Sequence, residues 1–368
     1  MLENSTDSYL PFSDKYIPKS FLECNHSQKT SVLLDNISKQ INNNEGLPNI
    51  ALYGPPGCGK YSLFLIMLNN CFGDKSSPYK TSVKAICVET GSFVPLSSKN
   101  KLKDKVIYTL VSKLHCEIDL NQANIDKVLI LFLENYCTTK NIYLKLHKYI
   151  ILRNIEYLKK ETQNALRRII EIYHNKIRFL ITVKSILTLI SPLRSRFLCI
   201  RMNSPNKKEA TDIINKVIDK ENFKITKNKI EIIIEKSKSG SHGEINLHEL
   251  FLILEGSLIM SNNNNINKIY SSEKNEASDL LVNLVKKGNR DNIRNLLYKI
   301  YEKMKDDFEN IITCDFYRKM LKNIKDEDKK KFVFLTAEWN STINKNFIFQ
   351  PILQAEGYIY SVCNLYNV

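Results

Sequence analysis

The first two hundred residues alternate short apolar runs with longer stretches of mixed polarity. The runs NIALY (49–53), KAICVET (84–90), YIIL (149–152), RFLITV (178–183) and FLCIR (197–201) are short and largely apolar, so they read as strands. Between them, 60–72, 124–138 and 161–173 read as helices from their apolar spacing. Apolar strands separated by helical segments predict a parallel sheet covered on both faces. The pattern changes at Pro205. EATDIINKVIDK (209–220) has the spacing of an amphipathic helix, and SNNNNINK (261–268) is polar and low in complexity. From about 276 onward the chain is again helical, as in ASDLLVNLVKK and IRNLLYKIYEKM. The expected layout is an α/β domain over 1–204, a small helical domain over 205–260, a linker over 261–275 and a helical domain over 276–368.

Composition adds little to this picture. With 368 residues, 43% hydrophobic and 25% charged, the chain is long enough for a sizeable core and globular in character. Lys+Arg exceed Asp+Glu by 54 to 39, and the resulting +15 points to an acidic partner such as nucleic acid. The chain is also rich in Asn, Ile and Tyr, as if codon bias had inflated Lys at tolerant surface positions, so charge only leans that way. The cysteines (Cys24, Cys58, Cys71, Cys87, Cys116, Cys137, Cys199, Cys314 and Cys363) form no Cys-x-x-Cys pair, and the histidines add no metal-ligand spacing. Reduced thiols in cytosol or nucleus are expected. The stretch MLENSTDSYLPFSDKY lacks the cationic start and apolar core of a signal peptide. VLILFL (128–133) is far too short to cross a bilayer, so no membrane partner is expected.

The candidate chemistry lies in ALYGPPGCGKYSLFL (51–65). Gly54, Pro55, Pro56, Gly57, Cys58, Gly59 and Lys60 follow a strand and open a helix, the context a phosphate-binding loop needs. Glycines let backbone N–H groups close around phosphate oxygens, the helix N-terminus favours the anion, and Lys60 reaches the outer phosphates. A plain glycine turn would not need Gly-Lys at its end. One rule is broken. The Ser or Thr that would ligate Mg²⁺ is Tyr61, whose hydroxyl sits several ångströms too far out, and Ser62 is one position late on the helix. The acidic pair expected after the four apolar residues of YIILRNIEYL (149–158) is also missing. Arg153 and Asn154 stand there; Arg cannot bind Mg²⁺ and Asn cannot act as a base for water. Two independent losses predict a site without hydrolysis, and leave open whether it holds a nucleotide.

The segment KETQNALRRIIEIYHNKIRFLITVKSILTLISPLRSRFLCIRMNSP (160–205) resembles the small subunits of replication factor C, the eukaryotic sliding-clamp loader, which are AAA+ proteins. The shared elements are Ala165-Leu166-Arg167-Arg168 on the helix after the acidic strand, Arg178-Phe179 before an apolar strand, and Pro192-Leu193-Arg194-Ser195-Arg196 with Phe197 in place of Cys. FSDKYIPK (12–19) is similar to the family's N-terminal motif, with Phe12 for Trp and Ile17 for Arg. The family's non-catalytic fifth-position subunit is the most similar member, through its eroded loop, through VETGSFVPLSSKNKLKDKVIYTLVSKLHCEID (88–119) and through NKNFIFQPILQAEGYIYSV (344–362).

The resemblance implies an α/β AAA+ P-loop domain with a parallel sheet, a helical lid and an all-helical oligomerisation collar over the three spans given above. It implies a nuclear DNA-replication subunit of a heteropentamer with four other AAA+ subunits, acting on the sliding clamp and primer-template DNA. It implies that ADP or ATP is held without hydrolysis, with no Mg²⁺ ligated by protein at this site. Arg196, with Ser195, matches the arginine finger that reaches a neighbour's ATP site; outside its motif it would read as a solvated strand-end charge. The sensor positions carry Lys184 for Asn and His248 for Arg.

For DNA, Lys99, Lys101, Lys103 and Lys105 alternate and would share one face of a strand, although a solvated Lys-rich loop reads the same way. Arg167 and Arg168 lie on the helix that faces the central chamber in the family. The lysines of KNIKDEDKKK (322–331) are interspersed with acids and read as a solvated helix face, and the aromatic residues at 347, 349, 358 and 360 as collar packing. Three rival readings stay open: an independently active P-loop ATPase of helicase-loader type, a P-loop nucleotide kinase, and a scaffold subunit that holds no nucleotide.

Overall fold

The computed structural model describes residues 11–24, 28–40, 47–72, 81–94, 106–112, 115–122, 125–138, 147–221, 225–239, 243–259, 273–304, 308, 311–345 and 351–366. The chain divides into two compact units, Met1–Ser237 with Ile245–Leu252, and Lys238–Glu244 with Ile253–Val368.

In the first unit an eight-stranded sheet is built from β1 (Ile50–Tyr53), β2 (Ser82–Cys87), β3 (Phe93–Val94), β4 (Val106–Val111), β5 (His115–Asp119), β6 (Lys148–Arg153), β7 (Ile177–Val183) and β8 (Leu198–Arg201), in the order β3-β2-β4-β5-β6-β7-β1-β8. Its helices are α1 (Phe12–Lys15), α2 (Gln28–Gln40), α3 (Lys60–Phe72), α4 (Ile125–Thr138), α5 (Lys160–Ile172), α6 (Ser191–Arg194), α7 (Lys207–Glu221), α8 (Lys227–Lys236) and the first residues of α9 (Leu247–Ile259).

The expected parallel sheet is present, and an antiparallel edge makes the whole sheet mixed. Strands β5, β6, β7, β1 and β8 run parallel, whereas β2 pairs antiparallel with β3 and β4, and β4 with β5. The physical reason lies in the chain between β4 and β5. It is too short for a helical crossover, and Ser112 N–H bonds to the His115 carbonyl at 2.9 Å, so the chain must turn straight back. Neither strand carries an unbroken apolar run: β4 alternates in burial, and β5 buries the polar pair His115 and Glu117.

Strand alternation sorts the core onto two faces. Ile50 and Leu52 of β1 join Tyr149, Ile151 and Leu180 under α2 and α3; Ala51 joins Ile150, Leu152, Ile181 and Val183 under α4 and α5. Helix α3 buries six consecutive residues, Leu63 to Leu68, because it is apolar all round. The loop that feeds it therefore hangs between a buried strand and a buried helix, at the carboxyl ends of the parallel strands where such sheets bind ligands.

The second unit is helical. Helices α10 (Glu273–Lys287), α11 (Arg290–Lys303), α12 (Tyr317–Leu321), α13 (Asp326–Lys345) and α14 (Pro351–Tyr366), with a π-helical turn at Ile311–Phe316, surround a core containing Leu281, Leu297, Phe316, Phe332 and Ile359. Trp339 stacks on Tyr358 at 4.9 Å between ring centroids, and the Tyr358 hydroxyl lies 2.9 Å from Thr336 Oγ1, so Tyr358 is a packing residue. On α13, Lys329 pairs with Asp326 at 2.5 Å and Lys331 with Asp328 at 3.3 Å, the local pairing expected of a solvated face. Phe347, Phe349 and the stretch 261–268 lie outside the described residues.

Candidate functional site

The loop after β1 closes on itself. Lys60 Nζ donates to the carbonyls of Gly54 (2.7 Å) and Pro55 (2.6 Å) and lies 3.8 Å from Cys58 Sγ. Burial lowers the Lys60 pKa from its ordinary value and raises that of the Cys58 thiol. The ammonium thus sits at the mouth of the loop on two backbone carbonyls, with the Glu156 carboxylate acting on it from farther off. Gly57 is held at φ 71°, a left-handed value that favours glycine, and a Cβ there would lie 1.7 Å from Asn246 Oδ1. This close approach docks the start of α9 on the loop: Leu247 N–H donates to the Gly57 carbonyl at 3.1 Å, and Asn246 Oδ1 caps the helix by accepting from His248 N–H at 3.0 Å.

A cleft of ≈ 810 Å³ opens here. From the loop, Pro56, Gly57, Gly59, Lys60, Tyr61 and Ser62 line it, whereas Gly54, Pro55 and Cys58 do not. The opposite side brings Asp119, Arg153, Asn154, Thr182 and Lys184 from the ends of β5, β6 and β7, and His248 from α9. Tyr16, Ile17 and Pro18 supply an apolar edge, and Lys15 Nζ and the Tyr16 hydroxyl tether that segment to Glu221 Oε1 of α7 at 2.5 and 2.6 Å.

The two sequence departures meet in space. The Arg153 guanidinium lies over the Tyr61 ring, 5.1 Å from its centroid, and Arg153 Nη2 is 3.5 Å from Asp119 Oδ2. The other Asp119 oxygen accepts from Asn154 Nδ2 (3.0 Å) and from Asn121 N–H (3.1 Å). Asn154 is the non-glycine residue at positive φ (60°) among the described residues, a value Asn tolerates better than most. Its N–H donates to Thr182 Oγ1 at 3.1 Å. Burial, with the Glu117 carboxylate second, pushes the Tyr61 phenol well above its ordinary range. Lys184 Nζ lies 3.8 Å from Glu156 Oε1.

The donor set fits a nucleotide's phosphates: a glycine cradle, a helix N-terminus and Lys60. It does not fit a protein-ligated Mg²⁺. The cleft's acid, Asp119, has both oxygens engaged, one of them with a cation, and Tyr61 offers no hydroxyl near the backbone.

The second candidate site is the surface around α6. Arg196 pairs through Nη2 with Glu171 Oε1 of α5, donates from Nη1 to the Pro192 carbonyl, and lies 3.3 Å from Ser195 Oγ. Ser195 Oγ in turn donates to the Pro192 carbonyl at 3.1 Å. Arg167 Nε is 3.6 Å from the same Glu171 oxygen, and Arg168 is exposed. Glu171 therefore gathers Arg167 and Arg196 at one partly exposed point.

No family model matches the chain. Among curated proteins it is 28% identical over 249 residues to replication factor C subunit 5 of Saccharomyces cerevisiae, covering 65% of this chain and 66% of that protein. It is 29% identical over 248 residues to the probable replication factor C subunit 3 of Dictyostelium discoideum, covering 66% and 65%. The chain is similar to replication factor C small subunits over these spans. The match spans just under two thirds of those relatives' own length. Among solved structures, the Thermotoga maritima RuvB Holliday-junction branch-migration motor superposes with a TM-score of 0.47 at 17% identity, covering 78% of this chain and 80% of that one. The sheet order, the loop between β1 and α3 and the helical C-terminal unit agree with an AAA+ fold.

The structure thus gathers the loop residues at one cleft and places Ser195 and Arg196 together on a separate surface. Lys99, Lys101, Lys103 and Lys105 lie outside the described residues. Sequence reasoning missed Asp119, Asn246 and Tyr16. Asp119 ends a strand whose polar face hid it, and its only sequence signal is the acid closing HCEID. Asn246 reads as one more polar residue in a loop until its contact with Gly57 is seen.

Proposed function

We propose that this protein is a non-catalytic AAA+ subunit of a clamp loader of the replication factor C kind, acting in the nucleus with four other AAA+ subunits on a sliding clamp and primer-template DNA. The observation that carries the reading is the contrast between the two sites. In the chain's own cleft the place of a metal-binding carboxylate is taken by Arg153, while Arg196 is held at the surface by Glu171 and Ser195 by the Pro192 carbonyl. A site that cannot ligate Mg²⁺ lacks the electrostatic partner that phosphoryl transfer needs. An arginine presented outward serves a neighbour instead, where a guanidinium on the transferring phosphoryl group is worth ~10³–10⁵ in rate. Exposed Ile172, next to Glu171 in the chain, and exposed Leu187 add apolar area of the kind a packed subunit interface covers.

The test is purification of the tagged chain from native extract followed by native mass measurement. An equimolar assembly with four other AAA+ subunits supports the reading, and Arg196→Ala should then lower the assembly's ATP turnover by at least tenfold while leaving its composition intact. A lone monomer, or turnover of Mg-ATP by the isolated chain, overturns it.

A further inference from the structure

We propose that Arg153 is the resident cation of the phosphate-binding cleft, so that this chain binds a nucleoside di- or triphosphate free of Mg²⁺. The inference rests on the nucleotide-holding reading of the loop and goes beyond it, because it assigns the charge that replaces the metal and predicts how the ligand is selected.

Three observations place the guanidinium in that role. It is fixed from below by the Tyr61 ring at 5.1 Å and from the side by Asp119 Oδ2 at 3.5 Å, so it has a defined position. That position lies at the wall of the same cleft that Lys60 enters from the loop, with the guanidinium partly exposed to it. Arg153 Nε is buried and has no hydrogen-bond partner among the described residues, while 30% of the side chain stays exposed where it lines the cleft, so the group keeps donors a ligand can reach. A planar guanidinium suits phosphate oxygens, which it can bind through two parallel N–H donors.

The same arrangement disfavours the metal. Asp119 would have to release Arg153 or Asn154 to offer an oxygen to Mg²⁺, and the arriving divalent ion would face a fixed positive charge beside it. Lys184 adds a further cation to the wall. Nucleotide arriving as its Mg²⁺ complex therefore has to shed the ion, whereas metal-free nucleotide finds Lys60 and Arg153 in place. The two departures at positions 61 and 153 become one device: the Tyr61 ring is the platform on which the Arg153 charge rests.

The experiment is titration of the purified full chain with ADP and with ATP by calorimetry, in EDTA and in excess Mg²⁺, with ATP turnover followed in parallel. Dissociation constants in EDTA should equal those in Mg²⁺ within twofold or be tighter. Arg153→Ala should weaken binding in EDTA at least tenfold, and Arg153→Lys should recover part of that loss. Because Arg153→Ala also frees Asp119, Tyr61→Leu is the second variant: it removes the platform while keeping the charge and should weaken EDTA binding by a smaller factor. Binding at least tenfold weaker in EDTA than in Mg²⁺, or unaffected by Arg153→Ala, overturns the inference. If that binding comes without turnover, the non-catalytic reading survives; turnover sinks both. Absence of binding in either condition overturns the inference and leaves a nucleotide-free scaffold.

Discussion

Replacing Gly57 by Ala tests how the loop and the start of α9 depend on each other. The backbone at φ 71° costs an L-residue about 1–2 kcal/mol. The new Cβ would stand 1.7 Å from Asn246 Oδ1 and 3.2 Å from its Cα, so that side chain must swing out of its place and the backbone give way slightly. Its cap on the His248 N–H goes with it, worth about 1 kcal/mol. The Leu247 N–H to Gly57 carbonyl bond, 3.1 Å long, is strained by that backbone shift, at a cost of up to about 0.5–1.5 kcal/mol. Partial relaxation trims the sum, and the expected loss is about 2–4 kcal/mol. Hydrogen exchange in the full chain reads it directly: the Leu247 and His248 amides should exchange faster by a factor matching that energy, with ADP affinity falling in parallel. Gly357→Ala is the control. Gly357 is exposed in α14, and a methyl added there would meet nothing within 4 Å, so this change should stabilise the helix by about 0.5–1 kcal/mol. Unchanged protection at Leu247 in Gly57→Ala, with unchanged ADP affinity, would refute the docking of α9 on the loop.

Other outcomes follow from the same geometry. Trp339→Ala removes a buried ring stacked on Tyr358 and should cost about 3–5 kcal/mol in the helical unit, read by urea unfolding followed by circular dichroism. The hydrogen bond from Lys15, then that from Tyr16, holds the Glu221 carboxyl below its ordinary value of 4.5. A depressed carboxylate contributes stability that is complete above that ordinary value and is lost as pH falls through the folded one. Exchange protection over residues 11–18 should therefore drop below about pH 4.5, and Glu221→Gln should abolish that pH dependence while lowering protection at neutral pH. Leu193→Ala, at a fully buried position in the helix before Arg196, should cost about 2–5 kcal/mol and loosen Arg196, seen as a shift of the thermal midpoint.

The sequence by itself determined the elements whose pattern is local. Helix α3 begins at Lys60 and ends at Phe72 as its apolar spacing requires, and β1, β6, β7 and β8 lie within a residue of their apolar runs. The lack of a short hydroxyl at 61 and of a carboxylate at 153 was also legible, because Tyr61 and Arg153 differ in chemical kind wherever they point. What the tertiary structure decided is how those residues are used. Asp119 meets Arg153 because β5 and β6 pair in parallel with those two residues in register. The Tyr61 ring lies under the same guanidinium because α3 is buried in the core behind the loop. The antiparallel edge from β2 to β5 and the docking of Asn246 on Gly57 belong to the same class. Side-chain periodicity records which face of a strand or helix is buried, but not which distant segment it meets; strand register and the packing of α9 on the loop are set only when the whole core closes.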